Sequence, residues 1–228
     1  MAQETKLHRK ELKEPDQFIV AGGDFLAFLT HNKTLLLSLL GALVLIAGGF
    51  LFVSNQKKAE ISRMEGLYFQ MTQKVEDRKG DVDSQLISDL KSLLDQFNAG
   101  IQQNRAQLLL ADIYFQAKNY DEAIKLYQAV SPQAAPGSIH YSMAHSGMAH
   151  AYESQNDYKN AIAHFKLVID HPGDFPLFYS HLALARCYEK SNDSKNAVLV
   201  LREMETSFPK HADLEKARLA LKRLEGSA

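Results

Sequence analysis

Three stretches of this chain carry one side-chain spacing, and that spacing limits the folds open to it. Leu110-Ala111 and Tyr114 are followed by Ala123 and Tyr127; Met148-Ala149 and Tyr152 by Ala161 and Phe165; Leu184-Ala185 and Tyr188 by Ala197 and Leu201. The Tyr-to-Ala gap is nine residues in each copy, and the copies recur at offsets of 38 and 36 residues. The apolar residue, its small neighbour and the Tyr share one side of a first helix. The Ala then marks where a second, antiparallel helix approaches so closely that a side chain beyond a methyl pushes the two apart. The later Tyr127, Phe165 or Leu201 fills the gap to the next pair. One such hairpin cannot bury both of its faces, so hairpins stack. No stretch alternates with period two over a useful length, and prolines 132, 136, 172, 176 and 209 fall between periodic runs. The expected class is all-α.

Lys118-Asn119, Gln155-Asn156 and Ser191-Asn192 sit between the two helices of each copy, where a left-handed exit ends the first helix. These residues resemble the tetratricopeptide repeat over about 104–211. The chain departs from that pattern in places. The bulky early aromatic is replaced by Gln107, His145 and His181, and the usual Gly by Ala111, Ala149 and Ala185. Extra residues at Ser131–Ser138 and Pro172–Leu177 stretch the period and are expected to loosen the connections. Upstream, 57–103 reads as a tether helix with Ile61, Met64, Leu67, Tyr68, Met71 and Val75, then a degenerate first helix pair around Leu86, Ile87, Leu90, Leu93, Leu94 and Phe97. Downstream, 212–228 reads as a capping helix with Leu214, Ala217, Leu219, Ala220, Leu221 and Leu224.

Thr34 to Gln56 contains no charged residue, and Leu35 to Val53 is an apolar run of 19. At about 1.5 Å per residue such a helix covers roughly 30 Å, the thickness of the hydrocarbon layer of a bilayer. Lys33 and Lys57-Lys58 bracket it, as snorkelling cations do. Residues 34–56 are therefore expected to form a single transmembrane helix behind a leader, 1–33. The long leader and the bulky Phe50-Leu51-Phe52 after Gly48-Gly49 argue for an uncleaved anchor. No Cys follows at a lipoprotein-processing position. Within the leader, Phe18, Ile19, Val20, Phe25, Leu26, Phe28 and Leu29 suggest a short interfacial helix. The local charges, with Lys57, Lys58, Arg63 and Lys74 after the span, lean toward a cytoplasmic C-terminal part.

The charge balance excludes a globally basic surface for nucleic acid: 26 Lys and Arg stand against 27 Asp and Glu. One cysteine excludes a disulfide framework and a Cys-built zinc site. His140, His145 and His150 recur every five residues and drift around a helix, so they do not make a metal-ligating pair. Cys187 reads as a small buried residue on a repeat helix. Ser138 and Ser146-Gly147 lack the setting of a catalytic nucleophile. No catalytic residue, cofactor or metal is expected.

What remains is a surface. The resemblance implies that first helices line a concave side that binds protein or peptide segments. From the Leu-Ala-x-x-Tyr frame, the inward residues are Arg105, Asp112, Phe115 and Gln116, then Met143, Ser146, His150 and Glu153, then Tyr179, Arg186, Glu189 and Lys190. The order of parts (leader, span, tether, repeats) resembles single-span bacterial tetratricopeptide proteins related to the ancillary subunit of the Sec translocon. That resemblance implies a bacterial inner-membrane, non-enzymatic adaptor with its N-terminus inside and its repeats in the periplasm, against the local charge count. Its implied partners are translocon subunits or a periplasmic chaperone. A scaffold subunit of another envelope complex, in secretion, pilus or division assembly, is the alternative.

Overall fold

The computed structural model describes residues 27, 28, 30–78 and 80–226. Most of the leader, including the interfacial helix expected around Phe18 to Leu26, lies outside the described residues. The chain divides into two compact units, 1–60 and 61–228.

In the first unit, residues 33–60 belong to helix α1 (Lys33–Glu76). Its apolar side chains, Leu35, Leu37 through Leu45 and Phe50 to Val53, are exposed, and none of its most apolar window is buried. By length and composition this helix is able to cross a membrane. The Ser38 hydroxyl donates to the Leu35 carbonyl at 2.8 Å, so the polar group in this run is satisfied within its own helix. The sequence suggested a span followed by a separate tether helix. The structure has one helix instead: residues 54–76 hold no proline, and the single Gly66 is tolerated within the helix.

The second unit is helical, with no strand among the described residues. After the end of α1 come α2 (Ser84–Leu94), α3 (Ile101–Gln116), α4 (Tyr120–Val130), a 3-10 turn (Ser131–Gln133), α5 (Ile139–Ser154), α6 (Tyr158–Asp170), α7 (Phe178–Lys190), α8 (Ser194–Ser207) and α9 (Leu214–Gly226). The hairpins α3/α4, α5/α6 and α7/α8 pack each on the next, and α9 closes the row against α8. This is the tetratricopeptide type of solenoid. Met64, Leu67 and Met71 of α1 are buried together with Leu90, Leu93 and Phe97, forming the first, degenerate layer.

Each hairpin turns the same way for a stated reason. Lys118, Asn156 and Asn192 adopt φ of 62°, 63° and 63°. Each ends its helix with two hydrogen bonds. In the first hairpin the Lys118 N–H donates to the Phe115 carbonyl and the Asn119 N–H to the Tyr114 carbonyl, both at 2.9 Å. Asn156 and Asp157 repeat the pattern on Glu153 and Tyr152, and Asn192 and Asp193 on Glu189 and Tyr188. This is the Schellman closure, which satisfies carbonyls that the helix end leaves open. Asp157 and Asp193 then cap the following helix by accepting the N–H of Asn160 and Asn196, at 3.2 Å each. Asn119 makes no such side-chain bond.

Ala123, Ala161 and Ala197 are fully buried at the close approach of each hairpin, and Tyr127, Phe165 and Leu201 are buried behind them. The long connections do not behave as expected. A Cβ built on Gly173 (φ +43°) falls 1.8 Å from the carbonyl oxygen of Gly137 (φ +78°), so the two inserted segments meet backbone to backbone. They are a second line of packing between hairpins, not slack. In α9, Leu214, Ala217, Leu221 and Leu224 are buried. Leu219 lies off that stripe and is 68% exposed.

Candidate interaction groove

The first helices of the hairpins put equivalent residues in columns. Asp112, His150 and Arg186 share one column; Phe115, Glu153 and Glu189 share the next. Contacts between adjacent layers then follow from which residues the columns hold. Between the second and third hairpins, Arg186 grips Glu153 with two bonds, Nε to Oε1 at 2.5 Å and an Nη to Oε2 at 2.8 Å. Between the third hairpin and α9, Arg223 donates to Glu189 at 2.7 Å. At the opposite end, Arg105 of α3 bonds Glu65 of α1 at 2.8 Å and lies over the Tyr68 ring, 4.1 Å from its centroid.

Between the first and second hairpins no such bridge forms. The residues in the corresponding places are Phe115 and His150, and His150 turns its Nδ1 toward Glu153 of its own helix at 3.5 Å. A cavity of about 300 Å³ opens there. Leu108, Asp112 and Phe115 of α3 form one wall, and Met143, Ser146, Gly147 and His150 of α5 the other; Tyr127 and Phe175 complete the lining. The Tyr127 hydroxyl donates to Asp112 at 2.5 Å. Gly147 lets the ring sit there: a Cβ at 147 falls 2.4 to 2.7 Å from Tyr127 ring atoms.

The electrostatics differ between junctions. Burial in the groove pushes the Asp112 carboxyl above its ordinary range, offset only in part by the Tyr127 hydrogen bond. Burial, and then the Asp112 charge, push the Tyr127 phenol up as well. At Glu153 burial also works to raise the carboxyl. The hydrogen bonds and charges of Arg186 and His150 outweigh it and bring the group down to about 2. Cys187, behind this pair, is fully buried, and burial together with the Glu153 charge pushes its thiol up to about 12.

Of the twelve inward residues named from the sequence, five line one cavity: Asp112, Phe115, Met143, Ser146 and His150. Others face internal partners. Arg105 holds Glu65, Gln116 accepts from Arg78 at 2.7 Å, Glu153 holds Arg186, Glu189 holds Arg223, and Tyr179 donates to Asp213. Arg186 and Glu189 also border a smaller cavity of about 190 Å³ with Leu182 and Leu201. Lys190 is exposed. Sequence reasoning missed Leu108, Tyr127, Gly147 and Phe175. Leu108 and Gly147 were open to discovery, since each lies one helical turn from a named residue, Asp112 and Met143 respectively. Phe175 sits in an inserted loop and has no periodic signal.

Away from the groove, the buried His145 and the half-buried His164 form a polar pair, Nδ1 to Nδ1 at 2.9 Å, and Ser131 Oγ meets His145 Nε2 at 2.9 Å. Burial, with the charges of His164 and His171, brings His145 down to about 4; burial lowers His164 too. The described residues hold no group of three or more His, Cys, Asp or Glu placed for a metal ion.

Comparison with known proteins agrees with this architecture. The tetratricopeptide repeat family matches residues 102–171. Among solved structures, the chain is similar to a Podosopora anserina putative kinesin light chain of nearly identical TPR-like repeats: 16% identity, 72% of this chain, 85% of that chain, TM-score 0.58. It is also similar to the apo form of RapI at 20% identity, over 73% of this chain but only 48% of that one, with a TM-score of 0.56. At these identities the likeness is one of fold. No curated protein matches in sequence. Stacked hairpins of this kind present an extended binding surface and serve as protein-interaction modules, and this chain carries one.

Proposed function

We propose that this protein is a membrane-anchored, non-enzymatic adaptor that binds a polypeptide on the concave side of its helix-hairpin stack. One observation carries the reading. A helix with a fully exposed apolar stretch stands on a chain whose repeats bury a complete core of their own. Water does not leave such a stretch uncovered, and a bilayer covers it without any new protein contact. The repeats then offer a groove whose walls come from the first helices of two hairpins. Anchoring raises the local concentration of partners held at the same membrane, so modest groove contacts suffice.

The finer reading rests on the resemblance to the ancillary Sec subunit family. It places the N-terminus inside a bacterial inner membrane and the repeats in the periplasm. There the protein assists translocation or chaperoning at the Sec translocon, with translocon subunits and a periplasmic chaperone as partners. Asp112, Phe115, Met143, Ser146 and His150 are the contact residues, with Arg186 and Glu189 at the next layer.

The test has two arms. Membranes washed at alkaline pH should retain the chain, and proteolysis of spheroplasts should degrade residues 61–228. Photo-reactive residues at Phe115 and Met143 should trap polypeptides that mass spectrometry identifies, and translocon components should be among them. Recovery of the chain in the alkaline supernatant removes the anchor. Crosslinks that form from Leu199 on α8 but not from the groove remove the concave face.

A further inference from the structure

On the reading that the concave face binds polypeptide, we infer that the cleft between the first and second hairpins takes a large apolar side chain of an extended segment, with a lysine or arginine of that segment beside it at Asp112.

Register supplies the first part of the argument. The layers on one side of the cleft are bridged by Glu153–Arg186 and Glu189–Arg223, each an acid from one layer and an arginine from the next. The same two columns hold Phe115 and His150 at the cleft. An aromatic ring there replaces the acid, so nothing draws a cation across, and the space stays open at about 300 Å³. That volume is at the small end of ligand pockets, roughly 300–1,000 Å³. It suits one or two side chains, not a helix about 10–12 Å across. Leu108, Phe115, Met143, Phe175 and the Tyr127 ring make the lining mostly apolar.

Charge supplies the second part. Glu65, Glu153 and Glu189 each carry an arginine from a neighbouring layer. Asp112 has only the Tyr127 hydroxyl, and among the described residues no lysine or arginine pairs with it. A carboxylate held at the edge of an apolar cleft without a countercharge is complementary to a cation presented beside an apolar group. The same carboxylate repels an acidic or phosphorylated segment. Tyr127 fixes the oxygen that it bonds, which leaves the other oxygen of Asp112 to accept from the ligand.

Full-length protein in lipid nanodiscs is titrated by fluorescence anisotropy with three labelled peptides in a Gly-Ser background, carrying Phe-Lys, Phe-Glu or Ala-Lys. The Phe-Lys peptide is expected to bind about tenfold more tightly than Phe-Glu, the scale of one charge-assisted contact. Asp112→Asn keeps an acceptor for Tyr127 and is expected to bring the two Phe peptides to about equal affinity. Met143→Ala is expected to weaken both Phe peptides several-fold and to leave Ala-Lys unchanged. Equal binding by the unaltered protein, a Lys preference that survives Asp112→Asn, or no binding of Phe-Lys overturns the inference. The photo-crosslinker at Met143 separates the levels. Polypeptides trapped in cells alongside any of those three results leave the concave-face reading standing and remove only the Phe-Lys chemistry. No trapped polypeptide removes both.

Discussion

Gly147→Ala sets two ordinary effects against each other, and the structure decides the sign. In a helix interior, Ala is better than Gly by about 1 kcal/mol, because the unfolded glycine has more conformations to lose. At position 147, however, the new methyl would lie 2.4 to 2.7 Å from three atoms of the Tyr127 ring. That ring is buried and its hydroxyl is bound to Asp112, so it cannot swing aside without breaking the bond. Overpacking of this kind costs about 1–3 kcal/mol, and the lost hydrogen bond about 1 kcal/mol more. The expected net is a loss of about 2 kcal/mol, or roughly 4–8 °C in Tm for a unit of this size. Gly66→Ala is the control. It is also helical, with nothing within 4 Å of the added Cβ, and should stabilise by about 0.5–1 kcal/mol. Urea unfolding of the full chain in detergent, followed by far-ultraviolet circular dichroism, reads both. Tyr127→Leu removes the obstructing ring atoms, so Gly147→Ala placed on that background should turn neutral or stabilising. If Gly147→Ala stabilises the unaltered protein as Gly66→Ala does, the tight seat of Tyr127 against α5 is wrong.

Acid should weaken the stack in two separate windows. The His145 imidazole is held down to about 4 when folded but titrates near 6.5 when unfolded, so the unfolded chain takes up the proton first. Stability should fall as pH drops from about 6.5 to 4, by up to about 3 kcal/mol, and His145→Gln should flatten that slope in pH-dependent melts. Glu153 adds a lower window: with its folded value near 2, its contribution is present above about 4.5 and lost as pH falls toward 2. A double-mutant cycle of Glu153→Gln and Arg186→Gln should give a coupling of about 1 kcal/mol, limited because Arg186 is 47% exposed; a coupling near zero would remove the bridge between those layers. Cys187 should resist alkylation by iodoacetamide in the folded protein and react on addition of urea, since the thiol is buried and its pKa raised to about 12.

Most of the hairpin architecture was legible because it is local. Tyr114, Ala123 and Tyr127 are set by helix period and turn chemistry, and those act over one or two turns of chain. The left-handed exits were readable for the same reason, even where Lys118 stands in place of an asparagine. The layer-to-layer contacts were not readable. Whether Arg186 meets Glu153, or Arg105 meets Glu65, depends on the rotation between stacked hairpins, and no local pattern encodes that angle. Five of the twelve inward residues therefore meet at one cavity, while the inward set was silent on which residues spend their charge internally. The inserted segments misled for a related reason. Gly and Pro read as loose connection, yet Gly137 and Gly173 are where two backbones touch, and Phe175 lines the groove. His164 carried no signal as a partner for His145, because they are 19 residues apart on different helices.

The departures from a regular repeat fall together. The first hairpin's second helix starts at Asn119 without the side-chain cap that Asp157 and Asp193 supply. The connection that follows it is stretched and runs through a 3-10 turn at Ser131–Gln133. Across the same junction a phenylalanine and a histidine stand where the later junction holds a glutamate and an arginine, and a glycine on α5 makes room for the Tyr127 ring. Each change alone weakens a regular array. A sequence under pressure only to fold has no reason to collect them at one interface, whereas one that must keep a cleft open there does. The two junctions that follow are each bridged by one glutamate and one arginine, and the cavity beside the last bridge is smaller, about 190 Å³. Installing that pair as Phe115→Glu with His150→Arg should therefore close the cleft, restore the bridge and abolish crosslinking from Met143 without loss of helicity. Crosslinking that persists at the level of the unaltered protein would show that the open junction is not where partners sit.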